Sequence, residues 1–488
     1  MRVLHVASEV TPWAQTGGLA DVVGALPLAT TALSSGIRTA TVVPLYQAAR
    51  ARLTAAGVSV GDGFRHEVVV GAHRIAVRLR PIGPDSAARL WLLDCPELYD
   101  RPGFYAHPSG DDWPDNPLRF AVLSRAAVDL APAILGGDPD VIHGHDWQAG
   151  LAPIYSRQDG RAAATVLTVH NLAYRGLFGK HVINDLGLPW TFFHHQQLEF
   201  WDQVSFLKGG MAFSDIVTTV SPTYAEEIRT PERGEGLNEF LCHDVRRLVG
   251  IVNGIDQETW NPATDPVLPA RFDALDRSGK AICREAVCRE VGLTPDGNSA
   301  LAVAIARMTT QKGLDLLADL APEFAKMGIK LIILGAGDPD LEQRWRALSS
   351  QFADTIAVQI GFDSALSRRL YAGADLFIMP SRFEPCGLGQ LYAMRYGAIP
   401  VVSGVGGLRD TVIDPHDTDL AVTQRTGFRF WPISADNLRT ALLRAIALRQ
   451  ANPTGFDQVR ANGMNRDSSW TTSAHTYVRL YRAARTVR

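Results

Sequence analysis

The sequence predicts an α/β protein made of two doubly wound units in tandem, and three observations carry that expectation. The chain has 488 residues, enough for two or three domains at roughly 150 residues each. Short β-branched runs alternate with longer amphipathic stretches, which is the pattern of parallel strands joined by helices. That alternation meets a turn-rich interruption and then starts again.

In the first half, strands are expected at residues 2–7, 39–43, 140–143, 165–170 and 216–220. Another strand-like run at 248–256 (LVGIVNGID) ends in an Asn-Gly turn, and residues 260–269 hold three prolines, so the interdomain linker is placed there. Strands follow at 300–306, 330–334, 356–360, 376–379 and 399–403. Leu314, Leu317, Ala321 and Phe324 fall on one face of a helix covering the second sheet. Trp470, Ala474, Tyr477, Val478 and Tyr481 repeat helical spacing near the end of the chain. The expected domains are 1–250, joined by a helix at 467–488, and 251–466.

Composition narrows the function classes. Apolar residues make up 46% and charged residues 20%, so a large core can be buried and wholesale disorder is excluded. The charge sum of 48 minus 51 is −3, which gives no global attraction to nucleic acid or to an anionic membrane, and neither is expected as a partner. Five scattered cysteines without a CxxC pair argue against a disulfide framework or a structural zinc site. The first residues lack a secretory apolar run of about 7 to 15, and nowhere do roughly 18 apolar residues follow one another. A soluble cytoplasmic protein is the expectation.

Doubly wound sheets bind ligands beyond the carboxyl ends of their strands, so the loops there hold the candidate chemistry. After the first strand, Gln15-Thr16-Gly17-Gly18-Leu19-Ala20-Asp21 places two glycines at a helix start, where free N–H groups favour an anion; the alternative is an ordinary tight turn. The loop is not G-x-G-x-x-G, which weighs against a dinucleotide-binding dehydrogenase. In the second unit Arg307 and Lys312, five apart across a strand-to-helix loop, offer two positive charges to a diphosphate or form a solvated surface pair. Glu384, in PSRFEPCGLGQ at a strand end, either stabilises positive charge as a glycosidic bond breaks or is a helix-start acid. His143, His145, Asp146 and His170 also lie at strand ends. His143 and His145 are expected to face opposite ways and so not to share a metal ion. The acidic triplets at 138–140, 338–340 and 417–419 are assigned to turns.

Taken together, TGGLADVVGALP, HGHDWQAGLAP, TVHNLAYRG, VSFLKGG, VNGIDQETWNPATD, TTQKGLDL, LGAGDP, SRFEPCGLGQLYAMRYG and GGLRDTV resemble, in order and over essentially the whole chain, the bacterial glycogen synthase and plant starch synthase family. The resemblance implies a GT-B fold of two Rossmann-like domains facing across a cleft. It also implies retaining transfer of glucose from ADP-glucose to the 4-hydroxyl of an α-1,4-glucan such as glycogen, with no metal and no cofactor.

By the same resemblance Arg307 and Lys312 would bind the diphosphate, with the N–H groups of Gly17 and Gly18 completing the cradle. His170 would hold the glucose 6-hydroxyl and Glu384 would stabilise the transition state. Asp21, Asp146, Asn253 and the backbone of Cys386, Gly387 and Leu388 would line the donor site, Phe362 would stack on adenine, and Glu9 and Trp147 would lie on the acceptor side. Departures are Gln15, Gly389, Gly404 and Val405, where the family usually has lysine, threonine, arginine and threonine; the loss of a charge and of hydrogen-bonding groups implies altered donor binding. Two alternatives accompany this reading: a related transferase using another nucleotide sugar or acceptor, and a weakly active glucan-binding paralogue.

Overall fold

The computed structural model describes residues 1–83, 85–416 and 421–486 and divides them into two compact units, Met1–Gly254 with Trp470–Arg488, and Ile255–Ser469. The acidic triplet at 417–419 and the last two residues of the expected 467–488 helix lie outside the described residues.

The strands of the first unit, in chain order, are β1 (Arg2–Val6), β2 (Arg38–Pro44), β3 (Phe64–Val70), β4 (His73–Ile82), β5 (Ala88–Asp94), β6 (Val141–His145), β7 (Ala164–Val169), β8 (Leu177–Gly179), β9 (Glu199–Phe200), β10 (Gln203–Ser205), β11 (Ile216–Thr219) and β12 (Leu248–Gly250). Nine of them form one sheet in the order β12-β11-β7-β6-β1-β2-β5-β4-β3; β8, β10 and β9 form a small antiparallel sheet. The seven strands from β12 to β5 run parallel, and the β3–β4 hairpin extends that edge antiparallel. Charged residues such as Arg65, Glu67, Arg74 and Arg78 break any long apolar run in the hairpin, which is why it carries no buried-strand pattern. One face of the sheet packs Val3, Val141, Val166 and Ile216 against Val22 and Leu26 of the helix Gly18–Ala32 and against Trp470, Tyr477 and Tyr481 of the helix Trp470–Thr486.

The second unit contains β13 (Ala300–Ile305), β14 (Ile329–Gly335), β15 (Ile356–Ile360), β16 (Leu376–Met379), β17 (Ile399–Ser403) and β18 (Phe428–Phe430). All are parallel, in the order β15-β14-β13-β16-β17-β18, the doubly wound order in which the sheet reverses direction between its first and fourth strands. Alternation along β13 sends Ala300, Ala302 and Ala304 into the core on one face and Leu301 and Val303 into the core on the other. Both faces are thus dry, as a parallel sheet requires.

Two expectations are corrected. The proline-rich stretch 260–269 belongs to the second unit, where Trp260 stacks on Tyr392 with ring centroids 3.7 Å apart. The single helix expected over 314–324 is broken: an α-helix Leu314–Asp319 passes through a 3₁₀ turn, Ala321–Glu323, into a short helix Phe324–Met327. Pro322 accounts for the break, because it lacks an N–H and its ring would clash with the preceding turn. Leu314, Leu317, Ala321 and Phe324 are nevertheless all buried.

Candidate active site

Sheet order places the candidate residues. In each unit the strand order reverses beside the first strand, between β1 and β6 and between β13 and β16, and the loops leaving those strands open a crevice there.

In the first unit, the loop after β1 is anchored from below by Glu9. Its carboxylate is buried and accepts from the Thr16 N–H (2.6 Å), the Thr16 hydroxyl (2.6 Å) and the Tyr105 hydroxyl (2.5 Å). Glu9 therefore holds the approach to Gly17-Gly18. Gly17 and Gly18 are exposed, and no side chain caps the helix they begin. Asp21, in its first turn, accepts from Thr11 Oγ1 (3.1 Å) and from Gln15 Nε2 (3.3 Å).

Asp146 and His170 meet at the ends of β6 and β7, where the Asp146 carboxylate accepts from the His170 N–H at 2.6 Å. Asp146 has φ 58° and ψ −173°, strained for any residue but glycine, and the bond to His170 helps hold it there. Trp147 is buried, its ring packed by Phe120, Phe178 and Phe206 beneath the loop. Asn253 is buried at the end of this unit, and its Oδ1 has no hydrogen-bond partner among the described residues.

The histidines overturn the expectation that they diverge. His143 and His145 are two residues apart and share a strand face, with ring centroids 4.2 Å apart. His5 lies beside His143 in the neighbouring strand, and one nitrogen from each of His5, His143 and His145 lies within 4.8 Å of the others. Orientation therefore gives no argument against a metal.

Burial holds His5 and His170 down at about 3, and the same cause puts His143 and His145 well below their ordinary 6.5. It raises the carboxyls of Asp21 to about 6 and of Asp146 to about 7. Below pH 6.5 the unfolded chain takes up protons at four histidines that the folded chain leaves neutral, so their stabilisation is full above that pH and lost in acid. The two carboxyls act oppositely, because between about pH 4 and 7 they hold protons only in the folded state. Four histidines against two carboxyls leave the folded state less stable as the pH falls from 6 to 5. Urea denaturation at those two pH values should show the midpoint falling; a constant midpoint would mean the imidazoles are charged in the folded protein.

In the second unit Lys312 Nζ donates to Glu384 Oε2 at 2.6 Å, and the Ser381 hydroxyl donates to the same oxygen at 3.0 Å. The pair is well buried, with the side chains 14% and 7% exposed. The two loops that supply it are clasped together: Arg382 pairs with Asp315 through two bonds of 2.7 and 2.6 Å, and the Arg382 N–H donates to the Gln311 carbonyl. Gly313 (φ +67°) permits the approach, since a Cβ there would lie 2.0 Å from the Pro380 carbonyl oxygen. Arg307 is exposed and has no carboxylate partner among the described residues. Cys386 is buried; Gly387 and Leu388 are half-buried, and the buried Gln390 side chain donates to the Cys386 and Gly387 carbonyls at 3.1 and 2.9 Å. Phe362 is 87% exposed just beyond β15.

The departures have different steric standing. A Cβ at Gly404 would make only ordinary contacts, 3.6 Å at the closest. At Gly389 it would come within 2.9 Å of the Phe377 ring and 3.3 Å of the Tyr371 hydroxyl, so a threonine there requires Phe377 to move. Val405 is buried in the second unit's core. Residues missed from the sequence are Tyr105, Ser381 and His5. Ser381 stands inside the Glu384 segment and was open to inspection, whereas Tyr105 lies in an irregular loop without periodic pattern.

Two doubly wound Rossmann-like units in tandem make the GT-B fold, which sucrose-phosphate synthase from Thermosynechococcus elongatus shares at a TM-score of 0.61 and 17% identity over 100% of both chains; with the family matches that follow, the class is a glycosyltransferase. Residues 2–243 match the starch synthase catalytic domain and residues 299–447 match glycosyl transferases group 1. The glycogen synthase of Roseobacter denitrificans is 44% identical, and that of Anaeromyxobacter dehalogenans 45%, each over 99% of both chains. The catalytic domain of starch synthase IV from Arabidopsis thaliana, solved with ADP and acarbose, matches at a TM-score of 0.88 and 31% identity, covering 99% of each chain. The chain belongs to the glycogen synthase and starch synthase family.

Proposed function

We propose that this enzyme elongates an α-1,4-glucan by retaining transfer of glucose from ADP-glucose to a non-reducing 4-hydroxyl. The observation that carries the reading is the buried Lys312–Glu384 pair at the second sheet's switch point, in a chain that matches bacterial glycogen synthases from end to end. The ADP and acarbose held by the Arabidopsis relative support a nucleotide donor and a glucan acceptor.

Arg307 and Lys312 neutralise the diphosphate as the bond from glucose C1 to the phosphate oxygen breaks and its electron pair leaves with ADP. The Gly17 and Gly18 N–H groups add uncapped donors to the same charge. The acceptor oxygen joins C1 on the face the phosphate leaves, and its proton passes to a phosphate oxygen. Glu384 stabilises the positive charge on the ring, and His170, fixed through its backbone by Asp146, binds the 6-hydroxyl. Asp21, Asn253 and the Cys386–Leu388 backbone line the donor site, Phe362 stacks on adenine, and Glu9 acts by holding the Thr16 loop. Chemistry without a metal or cofactor, the absence of a nucleic-acid partner and residence in the cytoplasm belong to the same proposal. Among the described residues no helix is long and apolar enough to cross a membrane.

Nucleotide release from ADP-glucose and UDP-glucose, with and without glycogen, tests the reading. Glycogen-dependent ADP release supports it; preference for UDP-glucose would favour a related transferase, and glycogen binding without turnover a glucan-binding paralogue.

Gln15 offers a donor-site test. Its amide makes only long contacts with Asp21, at 3.3 and 3.4 Å, and brings no charge. Gln15→Lys should raise kcat/KM for ADP-glucose by about tenfold or less, because a solvated cation contributes about 1 kcal/mol and Asp21 takes part of its charge. Unchanged use of ADP-glucose alongside good use of another nucleotide sugar would show a site rebuilt for a different donor.

A further inference from the structure

Three imidazoles form a hydrogen-bonded line from the core of the first unit to the candidate site. His5 Nδ1 lies 3.2 Å from His145 Nε2, and His145 Nδ1 lies 3.1 Å from His170 Nε2. His5 and His145 are fully buried, and His5 Nε2 has no partner among the described residues. His143 stands outside the line, with its two nitrogens facing the Tyr481 hydroxyl (2.8 Å) and the Thr168 hydroxyl (2.6 Å).

We propose that His5 and His145 form a tautomer relay that fixes the proton of His170 on Nδ1, so that His170 meets the sugar as a hydrogen-bond donor. A neutral imidazole has one N–H and one lone pair. His145 must therefore donate in one of its two bonds and accept in the other, which gives the line a direction. If the line ran from His170 towards His5, His5 Nε2 would carry an N–H buried with nothing to receive it. In the opposite direction His5 donates from Nδ1, His145 donates from Nδ1, and the orphaned atom is only a bare lone pair. Buried orphan N–H groups are rarer than buried unfilled acceptors, so the second direction prevails. It leaves Nδ1 of His170, which has no protein partner among the described residues, holding the proton. The tautomer at the site is thus decided two side chains away, by an atom with no neighbour to bond. His5 and His145 act as positioning residues.

The sugar half of this inference rests on the reading that His170 faces the donor's 6-hydroxyl; the relay half does not. Two-bond ¹H–¹⁵N NMR of the full chain labelled at histidine reads the tautomers directly, with the His170 signals assigned from their loss in His170→Asn. The wild-type protein should show His170 protonated on Nδ1. His5→Leu, which removes the donor, should give mixed tautomers at His170 and lower kcat/KM for ADP-glucose about threefold to tenfold. His5→Asn, whose amide can donate from the place of Nδ1, should restore both. A wild-type His170 protonated on Nε2 overturns the relay even if no His5 variant folds, and so does an unchanged tautomer in His5→Leu. ADP-6-deoxy-6-fluoroglucose accepts a hydrogen bond at C6 and cannot donate one, so it should outperform ADP-6-deoxyglucose. If the two analogues react alike while the tautomer is as expected, the relay stands and the sugar contact falls.

Discussion

Replacing Glu384 by glutamine should lower kcat for glucosyl transfer by about 10²–10³-fold while KM for the donor changes by less than about threefold. Glutamine keeps the shape and one acceptor oxygen, so the Ser381 bond has a partner, but the negative charge that Lys312 and the developing sugar cation both require is gone. Because the pair is buried, no water restores that charge, and the effect belongs to an interaction strengthened in the transition state. Initial-rate kinetics over a range of ADP-glucose concentrations separate the two constants. An unchanged kcat would reduce Glu384 to an acid that merely anchors the loop beside Lys312.

Arg307 and Lys312, though assigned to one diphosphate, should fail differently. Arg307 is exposed and, among the described residues, has no carboxylate partner, so Arg307→Ala removes a charge-assisted contact present before and during transfer; kcat/KM for the donor should fall about tenfold to a hundredfold, mostly through KM. Lys312→Ala removes a diphosphate contact and also strips Glu384 of its 2.6 Å partner, so the same loss should appear largely in kcat. EDTA should leave the wild-type rate within about twofold, since in this reading the two side chains replace a metal. A rate abolished by chelation and restored by manganese would defeat the account for both residues.

The fold was legible where burial writes a pattern. Parallel strands covered on both faces must be apolar throughout, and β13 to β17 announce themselves for that reason. The β3–β4 hairpin is half-solvated and carries arginines on both strands, and it left no such run. The 314–324 helix shows the limit of periodicity, because the apolar stripe survives while Pro322 breaks the backbone beneath it.

At the candidate site, residues in compact motifs are legible in the sequence and the contacts that hold them are not. Glu384 and Lys312 lie 72 positions apart, and nothing local in sequence says that one donates to the other. The error over His143 and His145 was geometric, since residues two apart on a strand share a side. Their significance then depended on His5, a residue of β1 brought beside them only by the sheet order.

The helix Trp470–Thr486 belongs to the first unit although the whole second unit precedes it in the chain. It places the Tyr481 hydroxyl on His143, and the Ser473 hydroxyl donates to the Val252 carbonyl across 221 positions of sequence. During synthesis the part of the first sheet's face that Trp470–Thr486 covers therefore stays open, with only the helix Gly18–Ala32 in place beside it, while residues 255–469, contiguous and self-contained, can close first. The usual order of vectorial folding is inverted: the part made earliest is the last to be completed, because its final helix follows the whole second unit.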